Sequence, residues 1–260
     1  MCLILFALDS HPRYKLVVVS NRDEFYKRPT AAAGFWPEKP GILAGKDIRD
    51  GGTWLGITRQ GRFAALTNYR DPKNTKPSAP SRGHLVLDYL ENQVPAAAYL
   101  NNLPAGGKAY NGFNLLVGNI DEFYYYSNRE EKIRTINTGV HALSNSLLDT
   151  PWPKAARGTR ELANILAREE IITEDLFVLM KNQDVPADHD LPDTGVGLEM
   201  ERWLAPAFII SAEYGTRTTS LLLVDRDNKV QFWERSYEPQ KMAIADEVYY
   251  EYVISSLSPA

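Results

Sequence analysis

Met1-Cys2-Leu3-Ile4-Leu5-Phe6-Ala7-Leu8, Asp9-Ser10-His11-Pro12 and, a few residues on, Leu16-Val17-Val18-Val19-Ser20-Asn21-Arg22-Asp23-Glu24 open the chain. Two short apolar runs with β-branched content, separated by turn-prone residues, read as two strands. Paired as a hairpin, they bring the end of the second beside the start of the first, so the polar tetrad Asn21 to Glu24 falls close to Cys2. The opening run has the apolar core of a signal peptide but no basic start, and Asp9 cuts it short, so a buried first strand is the better reading. Much later, Leu221-Leu222-Leu223-Val224 is apolar on both faces. Such a strand needs cover on both sides, which points to a layered sandwich rather than an open antiparallel sheet.

Further strands follow the same logic. Thr53 to Thr58 and Arg62 to Thr67 flank the hairpin signal Gln60-Gly61, and Phe113 to Gly118 and Phe123 to Tyr126 flank a polar turn. Thr219 to Val224 and Lys229 to Arg235 join at Asp227-Asn228. Helical spacing appears in Gly83 to Asn92, which puts Leu85, Val86, Tyr89 and Leu90 on one face, and after Thr150-Pro151, where Ala155, Thr159, Leu162, Ala163 and Leu166 recur. Thr173-Glu174-Asp175 starts a helix to about Lys181, and Asp246 to Leu257 reads as a last one. Gln183 to Leu204 is rich in Pro, Asp and Gly and reads as a long loop of the kind that often serves as a lid. No repeat, low-complexity tract or linker divides the 260 residues, so a single domain is expected.

Lys and Arg number 29 against 33 Asp and Glu, a formal net charge of −4 that removes the usual electrostatic footprint of a nucleic-acid binder. No apolar run is long enough for a membrane-spanning helix, so no stable membrane insertion is expected. With one cysteine, an internal disulfide and a Cys-rich zinc site are both excluded, which fits a reducing, cytoplasmic setting. Four histidines (His11, His84, His141, His189) show no metal-ligand spacing, so no metal site is expected.

Cys2 is the first candidate for chemistry. Removal of Met1 would put a thiol and a free α-amine in one residue. The amine can then take the thiol proton, and the thiolate can attack a carbonyl; the structural alternative is a small buried residue. Asn21, Arg22, Asp23 and Glu24 can orient an amine, pair with a thiolate or hold a substrate carboxylate, or they can simply cap a strand end. Asn68 and Asn145 each end a strand. Their amides can converge on one oxygen as oxyanion-hole donors do, although Asn is common wherever strands end.

These blocks together resemble the Asn-Arg-Asp-Glu (NRDE) family, also called the transport and Golgi organisation family. Its blocks stand here as Met1-Cys2-Leu3-Ile4, Ser20-Asn21-Arg22-Asp23-Glu24-Phe25, Gly51-Gly52-Thr53-Trp54-Leu55-Gly56 and Ala65-Leu66-Thr67-Asn68-Tyr69-Arg70. They continue as Tyr110-Asn111-Gly112-Phe113-Asn114-Leu115, Leu143-Ser144-Asn145-Ser146-Leu147, Tyr214-Gly215-Thr216-Arg217-Thr218 and Glu234-Arg235-Ser236. The family resembles the N-terminal-nucleophile hydrolases, which implies an α+β fold, a four-layer α/β/β/α sandwich. The same resemblance implies that Cys2 is the nucleophile, Asn68 and Asn145 the two amides and Arg217 the late arginine of a catalytic set. The early pair fits less directly: the hydrolases show Arg-x-x-Asp, whereas that spacing here gives Asn21 and Glu24, and only a shift gives Arg22 and Asp23.

Two functions are therefore expected as alternatives. One is a cysteine hydrolase or acyl transferase on a small amide or acyl thioester, which requires no cofactor. The other, implied by the family's association with haem trafficking and acyl-coenzyme A, is a non-catalytic carrier or chaperone for haem or acyl-coenzyme A in the same cleft. Trp54 and Tyr69 are the aromatic candidates for lining it, beside Trp36, Trp152 and Trp203, which are equally suited to a core. One shared cleft is expected for Cys2, Asn21 to Glu24, Asn68, Asn145 and Arg217.

Overall fold

The computed structural model describes residues 2–103 and 107–255. Met1, and Leu257 at the end of the last expected helix, lie outside them. Two antiparallel sheets stack face to face. Across the first run β10 (Gly139–Leu143), β1 (Cys2–Leu8), β2 (Tyr14–Phe25), β11 (Tyr214–Asp225), β12 (Lys229–Tyr237) and β13 (Ile244–Val253). Across the second, in chain order, run β3 (Thr30–Trp36), β4 (Lys39–Asp47), β5 (Leu55–Thr58), β6 (Phe63–Asn68), β7 (Phe113–Gly118), β8 (Phe123–Ser127) and β9 (Lys132–Thr135).

Strand alternation builds the layers. In β1, Ile4 and Phe6 point between the sheets, where they join Val18, Leu222 and Phe232 against Leu43, Ile57, Phe63 and Leu116. Leu3 and Leu5 point the other way, with Val17, Val19 and Leu221, onto helices α3 (Pro153–Leu166) and α4 (Thr173–Met180). The second sheet buries its outer face, including Ala64, Leu115 and Val117, under α1 (Gly83–Glu91) and α2 (Ala96–Asn101). Each fully buried Leu or Ile contributes about 1.5–3 kcal/mol of transfer free energy, and a strand apolar on both faces can collect it only between two layers. The fold is thus a four-layer α/β/β/α sandwich, and the resemblance to N-terminal-nucleophile hydrolases extends to it.

Two expectations are corrected. The described part of Asp246 to Leu257 is not helical: residues 246–253 lie in the edge strand β13, where Val248, Tyr250 and Tyr252 alternate onto the inter-sheet core. The other residues face out, with Tyr249 packed on Trp233 and Glu247 and Glu251 paired across the ladder with Arg235 and Lys229. The long loop from Gln183 ends in a short helix, α5 (Leu198–Leu204). Among the described residues no helix is long and apolar enough to cross a membrane.

Candidate functional site

Cys2 starts an interior strand. It lies opposite Arg22 in the β1–β2 ladder, and Arg22 lies opposite Thr218 in the β2–β11 ladder. On its other side the β1–β10 pairing runs from Leu8↔Gly139 to Ile4↔Leu143, a register whose continuation puts Cys2 opposite Asn145. Half-buried Cys2 lines a cavity of about 560 Å³ together with Arg22, Asp23, Glu24, Trp54 and Asn68. Burial pushes its thiol above the usual range and Asp23 adds to this, while Arg22 and a hydrogen bond from the Asp23 backbone N–H oppose it.

Period-two alternation divides the tetrad. Asn21 turns to the helix side, where its Nδ2 donates to the Met180 and Ala207 carbonyls at 2.8 Å each and its Oδ1 accepts from Thr219 Oγ1 at 2.6 Å. It is a buried tie between β2, β11 and the end of α4, and it is not a cleft residue. Arg22 turns inward. Its guanidinium lies 4.1 Å from the Trp54 ring centre, and Nη1 donates to Thr30 Oγ1 at 3.1 Å. The Trp54 ring fits there because Gly45 has no side chain: a Cβ would stand 2.4 Å from the ring.

Asp23 is buried. Its Oδ1 accepts from Thr216 Oγ1 at 2.7 Å and its backbone carbonyl accepts from Tyr214 Oη at 2.9 Å. Burial raises its pKa, opposed by Lys154, the Thr216 bond and Arg22. Lys154, in the first turn of α3, is a buried ammonium that donates to the Leu204 carbonyl at 2.9 Å. Desolvation brings it down to about 8 against the pull of Asp23. Sequence reading missed it, because a lysine in a first helical turn gives no sign that it will be buried. Glu24 accepts from the Phe25 N–H at 2.9 Å and lies 3.8 Å from Arg28 Nε.

The two amides are adjacent but not equivalent. Asn68 lines the cavity. Asn145 sits behind it, donating through Nδ2 to the Asn68 backbone carbonyl at 2.8 Å, while its own backbone carbonyl accepts from Arg70 N–H at 2.8 Å. Its turn is fixed by Asn114, which donates to Ser146 O at 2.8 Å and Thr67 Oγ1 at 3.0 Å and accepts from Tyr125 Oη at 2.7 Å. Arg217 is not at the cavity. A β-bulge between Thr216 and Thr218 takes it out of the ladder, and its Nη1 donates to the carbonyls of Phe25, Tyr26 and Arg28. Tyr69 also lies off the lining; its Cβ packs where a side chain on Gly112 would stand. The expected common cleft therefore holds Cys2, Arg22, Asp23, Glu24, Asn68 and Trp54, and it excludes Asn21, Tyr69, Asn145 and Arg217.

The far wall comes from residues that sequence reading did not select. Arg28 grips Asp47 at 2.5 Å and Asp50 at 2.6 Å. Arg82 and His84 come from the start of α1; Arg82 Nη1 donates to Gly112 O at 2.9 Å, and His84 Nε2 lies 2.5 Å from Asp50 O. Gly51-Gly52 makes this wall possible. A Cβ on Gly52 would stand 2.6 Å from the Gly83 backbone, and Thr53 N–H donates to Gly83 O at 3.2 Å. The glycine lets the helix start press directly on the turn before Trp54. Among the described residues no group of three or more His, Cys, Asp or Glu could hold a metal ion.

A family model described as Transport and Golgi organisation 2 matches residues 1–239. The chain belongs to the Transport and Golgi organisation 2 family. Relatives in this family include the Transport and Golgi organization protein 2 homolog of Bos taurus, 36% identical with 91% of this chain and 93% of that protein covered. The Transport and Golgi organization 2 homolog of Mus musculus is 34% identical, with 98% of this chain and 100% of that protein covered. Two variants of the conjugated bile acid hydrolase from Clostridium perfringens share the fold, each with a TM-score of 0.50. One is 11% identical with 100% and 99% of the two chains covered, the other 12% with 98% and 99%. In this member of the Transport and Golgi organisation 2 family, the cleft thus combines a thiol, a side-chain amide and several guanidinium groups, a set suited to holding an acyl carbonyl beside an anion.

Proposed function

We propose that the chain is an N-terminal-cysteine hydrolase or acyl transferase acting on a small amide or acyl thioester. The observation that carries this is the placement of Cys2 at the start of an interior strand, lining an open cavity beside Asn68. Once Met1 is removed, the α-amine of Cys2 takes the thiol proton and Sγ attacks the substrate carbonyl. The Asn68 amide donates to the resulting oxyanion, and the protonated amine gives its proton to the departing amine or thiol. Water, or an acceptor nucleophile, then releases the acyl group from Cys2. No cofactor enters this sequence. Asp23, next to Cys2 and sharing a field with Lys154, orients the amine.

The test is intact-mass analysis of Met-free protein incubated with a panel of acyl amides and acyl thioesters. An acyl adduct on Cys2 with turnover is expected, and Cys2→Ala should show neither. A panel without adduct or product overturns this reading for those substrate classes.

A second reading is favoured by the positive groups of the cavity, Arg22 and Arg82: a carrier or chaperone that holds haem or acyl-coenzyme A by its propionates or phosphates. Under the carrier reading, binding of either ligand survives Cys2→Ala and falls in Arg22→Gln.

A further inference from the structure

The cavity has four arginines (Arg22, Arg28, Arg49, Arg82) and four carboxylates (Asp23, Glu24, Asp47, Asp50) on its wall. Equal numbers conceal an unequal partition. Arg28 reaches Asp47, Asp50 and Glu24, and Arg49 lies 3.8 Å from Asp50. Asp23 is held by Thr216. Among the described residues neither Arg22 nor Arg82 has a carboxylate within ion-pair distance, although Arg22 is only 5% exposed. A guanidinium taken out of water without an anion is costly. It offers five donors, and the bonds seen here use one nitrogen on each, Arg22 to Thr30 Oγ1 and Arg82 to Gly112 O.

Both groups stand near Cys2. Arg22 lies across the ladder from Cys2. Arg82 lies within electrostatic reach of Cys2 and of Glu24, and Glu24 is itself occupied by the Phe25 N–H and Arg28. Arg82 also stands at the N-terminal end of α1, a nine-residue helix whose start has no side-chain cap. The first N–H groups of α1 are taken by the turn before it, His84 N–H by Ser81 O at 3.3 Å and Leu85 N–H by Arg82 O at 3.0 Å, which leaves the Arg82 guanidinium as the group this end of the helix offers to the cavity.

We infer that Arg22 and Arg82 form an oxyanion cradle beside Cys2, so that the molecule bound there carries a carboxylate or phosphate close to its reactive carbonyl. This rests on the cleft of the proposed function being the place where the ligand binds, and it does not require turnover. Neutral acyl amides and thioesters are poor ligands, and anionic ones are the substrate class.

Because Cys2 is the sole cysteine, alkylation tests this directly. Iodoacetate and iodoacetamide differ little except in charge, and the ratio of their rates cancels the fraction of thiolate. In folded protein the iodoacetate-to-iodoacetamide ratio should exceed that of the same chain in urea by about tenfold, the worth of a charge-assisted hydrogen bond. Arg82→Gln should bring the ratio most of the way back, and Arg22→Gln likewise. Should Arg22→Gln fail to fold, raised salt on the native protein should produce the same fall. Inorganic phosphate and propionate should each slow the iodoacetate reaction, and the one effective at lower concentration identifies the head group. A ratio equal to that in urea, a ratio untouched by Arg82→Gln, or a Cys2 that neither reagent reaches in the folded chain would overturn the cradle. Loss of acyl turnover with the ratio still raised would sink the hydrolase reading alone.

Discussion

The backbone N–H of Ala33, on the edge strand of one sheet, donates at 2.8 Å to the carboxyl of Glu234 on the other. A register shift between Ala31 and Gly34 in the β3–β4 ladder takes Ala33 out of regular pairing, and Glu234 takes up its N–H. The second carboxyl oxygen accepts from Ser220 at 3.0 Å. With Arg22 bonded to Thr30, this gives β3 two ties to the sheet that carries Cys2.

Burial raises Glu234 to about 7, from the ordinary carboxyl value of 4.5. The folded state therefore prefers the protonated acid, and the stability this provides is complete below about 4.5 and is lost as pH rises through about 7. Urea denaturation across that window should show a fall on the order of 2 kcal/mol from this group, and Glu234→Gln should flatten it. An unchanged slope in Glu234→Gln would show that the carboxyl does not titrate there.

Asn21 belongs to the scaffold. Asn21→Ala leaves two carbonyls and a hydroxyl without their buried partner, and should cost about 3 kcal/mol in urea denaturation. Under folding conditions its iodoacetate-to-iodoacetamide ratio at Cys2 should stay within about twofold of the native value. A large change in that ratio would return Asn21 to the site.

Arg70 and Glu201 form a buried ion pair, and Glu201 also accepts from Thr194 N–H at 2.9 Å. The pair fastens the 183–204 segment to the strand end that bears Asn68. Glu201→Gln strands a buried guanidinium and should cost about 3–5 kcal/mol. Limited proteolysis should then cut between residues 183 and 204 first. Pairing it with Arg70→Met should recover part of the loss.

In the proposed reaction Asn68→Ala should lower turnover by about 10²–10³ with little change in binding. Arg217→Ala should instead act through the Phe25–Arg28 turn, reducing stability more than turnover. The rate of Cys2 alkylation by iodoacetamide should rise with pH, with a midpoint above that of an ordinary thiol because burial dominates, and Arg22→Gln should move it higher still. A midpoint below that of an ordinary thiol would contradict the electrostatics described for Cys2.

Sequence reading reached the layered fold through strands apolar on both faces, Leu221 to Val224 above all, because that pattern has few solutions. It misread Asp246 to Leu257, where Val248, Tyr249, Tyr252 and Val253 fit a helical face as well as a strand, and the aromatic and β-branched content was the better guide. It passed over β3 and β4, whose small residues leave little periodicity. At the site it selected the tetrad as a unit, whereas strand alternation turns Asn21 to the helix layer and only the residues nearer the strand end, Arg22, Asp23 and Glu24, reach the cavity. Arg82 was invisible because only the contact between Gly52 and Gly83, residues far apart in the chain, brings it to the cavity.

The interior position of β1, flanked by β10 and β2, has a practical side. With β2 beside Cys2 and the cavity lined by it, a fusion partner joined ahead of Cys2 is attached at the edge of the cleft. An affinity tag placed there would act as a tethered plug, competing with every ligand at an effective concentration that dilution cannot lower. Assays on this protein call for a tag at the other end, or for one that a protease removes flush with Cys2.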